Sequence, residues 1–266
     1  MPVVIQPGAQ NTSKAMVLWD NILTRAVSAS DFGTDANYPS INCRNDEATW
    51  SSWRTNVADG YFAVDMGSNT QVSALGIASH NLASSGAGVM VSHSDDGITW
   101  VDMNTVNPMT DDDMIVLFGS VSARYWRVTI TDAAASIGVA FLGRPLVFPH
   151  SPVDSYAPLH HSRRYEKLYN DSLKGHFLGN RVMSAGAETE VDMGFLDRNW
   201  LELNIRGFEK HYNQGRTFFY AGCPSRYPDD MGYCRSANSD ESLVIEFIEG
   251  DRLSSLSFGV RSFIGA

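Results

Sequence analysis

Four side chains in one short stretch, Arg44, Trp50, Trp53 and Arg54, have the types that hold a sugar. Indole faces stack on the C–H surface of a saccharide ring, and guanidinium groups bind hydroxyls in a fixed fork. The same aromatics would equally well plug the end of a β-sandwich, so both uses stand. His80 and Asn81 close an apolar run, where imidazole and amide could bind a hydroxyl or anchor the loop that follows. Asp65 lies in VDMG, where a strand runs into a glycine turn, and its carboxylate is expected to accept backbone hydrogen bonds. Arg124 and Arg127, three apart on a strand, face opposite sides; one is expected to pair with a carboxylate and the other to be exposed.

Metal and redox chemistry find weaker footing. Asp111-Asp112-Asp113 offers hard oxygen ligands without calcium-loop spacing, so a solvated acidic turn is the simpler reading. Structural calcium is possible rather than predicted, and backbone carbonyls over residues 37–46 are at least as suitable as that triplet. Cys223 and Cys234 flank a proline-containing segment and could either close it covalently or stay as thiols. His160 and His161 are adjacent and no CxxC pair exists, so no zinc set forms. The carboxylate pairs Glu188/Glu190 and Glu246/Glu249 are of glycosidase type, but nothing sets either as an acid and a nucleophile. With no GxSxG, phosphate loop, HExxH or dinucleotide fingerprint, the expectation is no catalysis, no cofactor and no metal.

The elements that must position these groups are legible as four ordered stretches: YFAVDMG (61–67), SALGIASHN (73–81), VMVSHSDDGITW (89–100) and ARYWRVTI (123–130). Each is a short apolar or alternating run closed by a turn signal, as strands of a sandwich are. Ser94-Asp95-Asp96-Gly97 supplies one turn, since Asp bonds its own backbone and Gly tolerates positive φ. The region 35–53 around them is rich in turn-forming residues. The predicted class is mainly β, an N-terminal sandwich followed by a smaller β-rich α+β domain.

The 266 residues suggest two domains: 1–148, a linker over 149–158 (PHSPVDSYAP), and 159–266. In the second, AETEVDM (187–193) alternates as a strand. Leu201, Leu203 and Ile205 alternate as a strand would, but Leu201, Ile205, Phe208 and Tyr212 share one helical face, and this longer pattern favours a helix over 198–213 with Asp197 as N-cap and Gly215 as stop. Strands are predicted at 217–221, 243–248 and 254–262, with a long irregular loop over 223–241 whose segment 227–233 presents aromatics. Hydrophobic residues make up 43% and charged residues 19%, an ordinary globular balance. A formal charge of -10 disfavours nucleic acid and anionic membranes as partners. No apolar run reaches the roughly 20 residues of a bilayer span, and the start of the chain lacks a leader pattern. With only three cysteines, cytoplasmic synthesis without secretion is expected.

The first domain resembles the discoidin, or coagulation-factor C-type, family of galactose-binding-like jelly rolls. Val64-Asp65-Met66-Gly67 matches its V-D-L-G, residues 94–100 its S-x-D-G-x-x-W hairpin, and residues 124–130 its R-Y-x-R strand. A further resemblance is to discoidin-like domains of long-tailed bacteriophage tail proteins, through Asn21-Ile22-Leu23, Ala36-Asn37-Tyr38-Pro39, Trp50 to Trp53 and His80-Asn81-Leu82; Gly215 to Tyr220 adds a G-x-x-F-F-Y segment. These resemblances imply a structural protein of a phage tail tip or baseplate, located in the virion, made in the host cytoplasm and oligomeric in the tail. Its partners would be other tail proteins and host-surface glycans, reached through Arg44, Trp50, Trp53, Arg54, His80 and Asn81. The alternative is a stand-alone or accessory carbohydrate-binding module. Animal members bracket the domain with a cysteine pair; here only Cys43 falls within it, which puts lipid binding of their kind in doubt.

Overall fold

The computed structural model describes residues 2–45, 49–152, 156–248 and 252–263. Two eight-stranded sheets dominate. The first comprises β1 (Val3–Ile5), β3 (Ser28–Phe32), β4 (Trp53–Arg54), β5 (Gly60–His80), β6 (Gly88–Ser94), β7 (Val101–Asp102), β8 (Met114–Thr131) and β9 (Ser136–Gly143). The second comprises β2 (Met16–Leu18), β10 (Leu146–Val147), β11 (Arg163–Asp171), β12 (Phe177–Asp197), β13 (Phe218–Cys223), β14 (Tyr227–Ser236), β15 (Val244–Ile248) and β16 (Leu253–Phe263). Four short helices accompany them: α1 (Ile41–Arg44), α2 (Leu82–Ser85), α3 (Arg198–Asn204) and α4 (Arg206–Asn213).

The first sheet folds over on itself because its two longest strands bend at the same place. β5 and β8 pair from Gly60 opposite Ile130 to Asp65 opposite Tyr125, slip, pair again from Thr70 opposite Ala123 to Val72 opposite Val121, and slip once more before Ala74 opposite Leu117. Such slips sharpen twist and turn a strand from one leaf of a sandwich into the other. Phe62, Val64, Val128 and Ile130 from one leaf meet Leu75, Ile77, Val116 and Leu142 from the other, giving the expected sandwich core. At the bend Gly67 has φ +74, and Asp65 Oδ1 accepts from its N–H at 2.7 Å. Arg124 grips the same carboxylate in a bidentate pair, with both N···O distances 2.8 Å. Asp65 is therefore framework, as the sequence reading held, and the arginine pair keeps its carboxyl at about 2.

The second leaf is buried on both faces, which explains why SALGIASHN reads as a continuous apolar run. Its outward residues Ala74, Ala78, Val139 and Phe141 pack on Leu18, Phe219, Ala221 and Tyr233 of the second sheet. The alternate residues of that sheet, Val17, Phe218 and Tyr220, turn the other way onto Leu201, Ile205, Phe208 and Tyr212 of the helices. The molecule is thus four layers deep: two sandwich leaves, the second sheet and the helix pair. The N-terminal segment crosses this boundary, because Met16–Leu18 lies between β10 and β13 within the second sheet. The boundary expected at residue 148 thus does not coincide with the division between the sheets, since strands 16–18 and 146–147 belong to the second.

Close approach at this joint requires small residues. A Cβ on Gly76 would lie 2.7 Å from the Phe219 ring. Gly76→Val is expected to cost about 1–3 kcal/mol through overpacking and to lower the melting temperature by several degrees; an unchanged melting curve would refute the close packing of leaf and sheet.

Two expectations for the second domain are corrected. The predicted helix over 198–213 is two, α3 and α4, interrupted at Ile205 between the poor helix formers Asn204 and Gly207. Gly207 itself is needed because a Cβ there would meet the Trp19 indole at 2.7 Å. The Asp197 cap is present, accepting from Trp200 N at 2.9 Å, and Gly215 has φ +71. The loop expected over 223–241 contains a ten-residue strand, β14, with Tyr233 buried against Phe219 rather than displayed. Its Asp230, 2% exposed, looked like a loop residue. It is satisfied by Tyr156 Oη and Leu159 N, which a local reading cannot supply.

Candidate functional site

The region between β3 and β4 is irregular but ordered by side-chain hydrogen bonds. Asp31 accepts from Ser40 N at 3.0 Å and starts the single turn α1, while Asn42 Nδ2 donates to Ser52 O at 3.0 Å. Arg54 N donates to Tyr38 O at 3.1 Å, which draws the two ends of the loop together. The Arg54 guanidinium lies over the Tyr38 ring, 3.7 Å from its centroid, and Nε donates to Ser52 Oγ at 3.2 Å. A stacked, hydrogen-bonded guanidinium is fixed in direction with donors left over for a ligand. Trp50, four residues before Arg54 in the same segment, has 90% of its surface exposed. Arg44, at the end of α1, is half-buried, and its Nε has no hydrogen-bond partner among the described residues.

The other expected site residues belong to the framework. Trp53 is 0% exposed, edge-on to Phe62 at 4.9 Å, with Nε1 donating to Thr34 Oγ1 at 2.9 Å. Its period-2 position on β4 turns it into the core while Arg54 turns out. His80 is buried, its Nε2 2.8 Å from Asp112 O and its Nδ1 accepting from Leu82 N at 3.3 Å. This pattern fixes the neutral Nε2–H tautomer, and burial pulls its pKa below the ordinary value. Asn81 Oδ1 accepts from Ser136 N at 2.7 Å and from Ser136 Oγ at 3.0 Å. Both anchor the loop after β5. Ser79 Oγ, donating to Thr49 O at 3.1 Å, ties that strand end to the Trp50 loop.

Of the acidic triplet, Asp111 and Asp112 are exposed in a bend, as a solvated turn would have them, while Asp113 turns inward. Asp111 Oδ1 accepts from Ala83 N and Ser84 N, and Asp113 Oδ2 accepts from Tyr233 N across the joint between domains at 3.0 Å. Among the described residues, no group of three His, Cys, Asp or Glu is placed to hold a metal ion; of the suggested carbonyl segment 37–46, Asp46 lies outside those residues. Cys223 and Cys234 are free thiols, bonded to Ser13 O and Gly232 O. Both strand arginines pair with carboxylates. Arg127 reaches Asp102 at 3.1 Å and lies over both Trp100 and Tyr61, while Arg124 is the more exposed of the two, as one was expected to be, yet is paired as well.

A cleft of about 700 Å³ lies between the domains, rimmed by Trp19, Gln71, Arg144, Trp200 and Asn204. No local motif announces it, since its walls come from segments as far apart in the chain as Ala9 and Asn204.

Residues 26–141 match the F5/8 type C domain family. The sandwich is an F5/8 type C domain. Similar solved structures include the family 32 carbohydrate-binding module of Clostridium perfringens NanJ in complex with galactose, at 13% identity, covering 48% of this chain and 98% of that one with a TM-score of 0.39. They also include chitosan-binding module 1 of a chitosanase/glucanase from Paenibacillus sp. IK-5, at 18% identity, 47% and 99% coverage and a TM-score of 0.38. A third is the CBM32 of AlyQ in complex with 4,5-unsaturated mannuronic acid, at 23% identity, 44% and 94% coverage and a TM-score of 0.38. No curated protein matches the chain. The F5/8 type C domain accounts for the four ordered strand stretches, while β10 to β16 and the helices lie beyond the match.

Proposed function

We propose that the F5/8 type C domain is a non-catalytic saccharide-recognition module that contacts glycans through Trp50, Arg54 and Tyr38. The observation that carries this reading is Trp50, an almost fully exposed indole four residues along the chain from a guanidinium stacked over a tyrosine ring. An exposed indole costs solvation and gives the fold nothing, whereas against a sugar face it is the main apolar contact. A glycan array on the full chain, followed by calorimetry, tests it. Trp50→Ala and Arg54→Ala should each weaken binding by roughly tenfold or more, with melting temperatures unchanged. Wild-type protein that binds no glycan, or a Trp50→Ala variant that binds as tightly, would sink the proposal.

A second reading, a component of a bacteriophage tail tip or baseplate, is favoured by one feature: the two-stranded ribbon over 163–184, exposed along its length, is suited to assembly. Mass spectrometry of purified particles tests it, and absence of the chain from them would exclude it.

A further inference from the structure

β11 and the first part of β12 leave the body of the second domain as a two-stranded ribbon. All nine residues of β11 and residues 177–184 of β12 are exposed, and β12 acquires its second neighbour, β16, only from Gly186 onward. The ribbon is nonetheless regular, closed by a turn in which Ser172 N donates to His176 O at 2.9 Å and Gly175 takes φ +78. A two-stranded ribbon with nothing packed on it is marginal in water. This one also exposes Tyr165, Leu168, Tyr169, Leu173, Phe177 and Val182.

Its two faces differ. By strand alternation Tyr165, Lys167 and Tyr169 lie on one face, with Ala185, Val182 and Asn180 opposite them in register. The same face continues down β12 through Ala187 to Val191 and Met193, which are buried in the core beneath the helices. The tyrosine face is therefore the core face of the second sheet, carried past the point where this chain can cover it. The reverse face is more polar, carrying Leu168 opposite Arg181 among charged and hydroxyl groups, with Arg164 pairing with Glu188 at 3.4 Å and Ser184 Oγ donating to Glu166 at 3.0 Å.

Charge points to the cover. Between 163 and 184 the ribbon holds Arg163, Arg164, Lys167, Lys174 and Arg181 against Glu166 and Asp171. It is locally basic on a chain with 20 Lys+Arg, 30 Asp+Glu and a net charge of -10, so the body carries the acidic excess. We propose that the ribbon is an assembly arm, which seats its tyrosine face on the acidic body of a second copy of this chain. The arm's cations steer the encounter and Tyr165, Tyr169 and Val182 supply the buried contact. Reciprocal exchange of two arms would close a dimer, and a head-to-tail arrangement would close a ring.

Analytical ultracentrifugation of the full chain tests this over a range of concentration and salt. The expected result is concentration-dependent self-association, weakened at least tenfold as salt rises from about 0.05 to 0.5 M because exposed charges become screened. Tyr165→Ser with Tyr169→Ser, and separately Lys167→Glu with Arg181→Glu, should each sediment as monomers with unchanged melting temperatures, since every altered side chain is exposed. A wild-type chain that stays monomeric at about 0.1 mM, far above the Kd of a specific assembly, overturns the proposal. So does association that both variants retain. A monomer that co-floats with anionic vesicles would assign the arm to a lipid surface and also overturn it. Glycan binding by monomeric protein leaves the recognition proposal standing on its own.

Discussion

Trp53→Ala will destabilise the chain by about 3–5 kcal/mol, a large part of the roughly 5–15 kcal/mol that holds a domain folded. Two losses combine. The indole fills the end of the sandwich core against Phe62, and its removal leaves a cavity that rigid strands on both sides cannot close. Its Nε1 also satisfies Thr34 Oγ1, and through the β4–β9 pairing of Trp53 with Ile137 it holds the base of the Trp50 loop. Trp53→Phe, which keeps most of the volume but not the donor, should lose only about 1–2 kcal/mol. Urea unfolding separates the outcomes. If Trp53→Ala melted like wild type while glycan affinity fell, Trp53 would be a contact residue and its burial here would be wrong. The contrast with Trp50 is the sharper form of the prediction, since the two substitutions should show opposite losses: stability for Trp53, affinity for Trp50.

That contrast marks the boundary of what the sequence could tell. The sandwich was readable because its strands carry their own punctuation: the Ser94–Gly97 turn, with Asp96 Oδ1 accepting from Ile98 N and Thr99 N, and the Asp65–Gly67 bend are local devices. Asp197 and Gly215 announced the helical segment for the same reason. Trp50 and Trp53, identical in type and three residues apart, differ from 90% to 0% exposure because only one falls inside a strand paired with β9. Nothing in their spacing decides which. β14 hid behind Asp229 and Asp230, whose polarity suits a loop until Tyr156 arrives from another segment to satisfy the second. The arm hid for the converse reason. A strand exposed on both faces shows no clean apolar alternation, so nothing in RRYEKLY marks it as a strand. Pairing of Met16–Leu18 with Phe219, Tyr220 and Ala221 spans some 200 residues, and no periodicity encodes it.

The joint between the domains should respond to pH through Asp113. Its Oδ2 accepts from Tyr233 N, and burial pushes its carboxyl from the ordinary 3.8 up to about 7. A folded pKa above the unfolded one means that the native state holds the proton more tightly. The contribution is full below about pH 4, falls as pH rises from about 4 to 7, and is flat above that. A shift of this size corresponds to about 4 kcal/mol at the fully buried limit. Asp113 keeps partial solvent contact, so about 1–3 kcal/mol is expected. Asp113→Asn keeps an acceptor for Tyr233 N and cannot ionise. The stability of wild type minus that of Asp113→Asn, measured by urea unfolding, should therefore decline across this window. The difference removes other groups that titrate nearby. His80, with a depressed pKa, loses stability as pH falls below about 6.5, the opposite sense; Asp230 is raised and acts in the same sense as Asp113. Asp65, held at about 2, and Asp96, also lowered, lose their contributions only in more acidic solution. Asp112, Cys234, His160, Arg163 and Asp229 complete the charged and titratable surroundings and are common to both proteins. Parallel stability curves for the two would show that Asp113 ionises freely and that the Tyr233 bond does not depend on its proton.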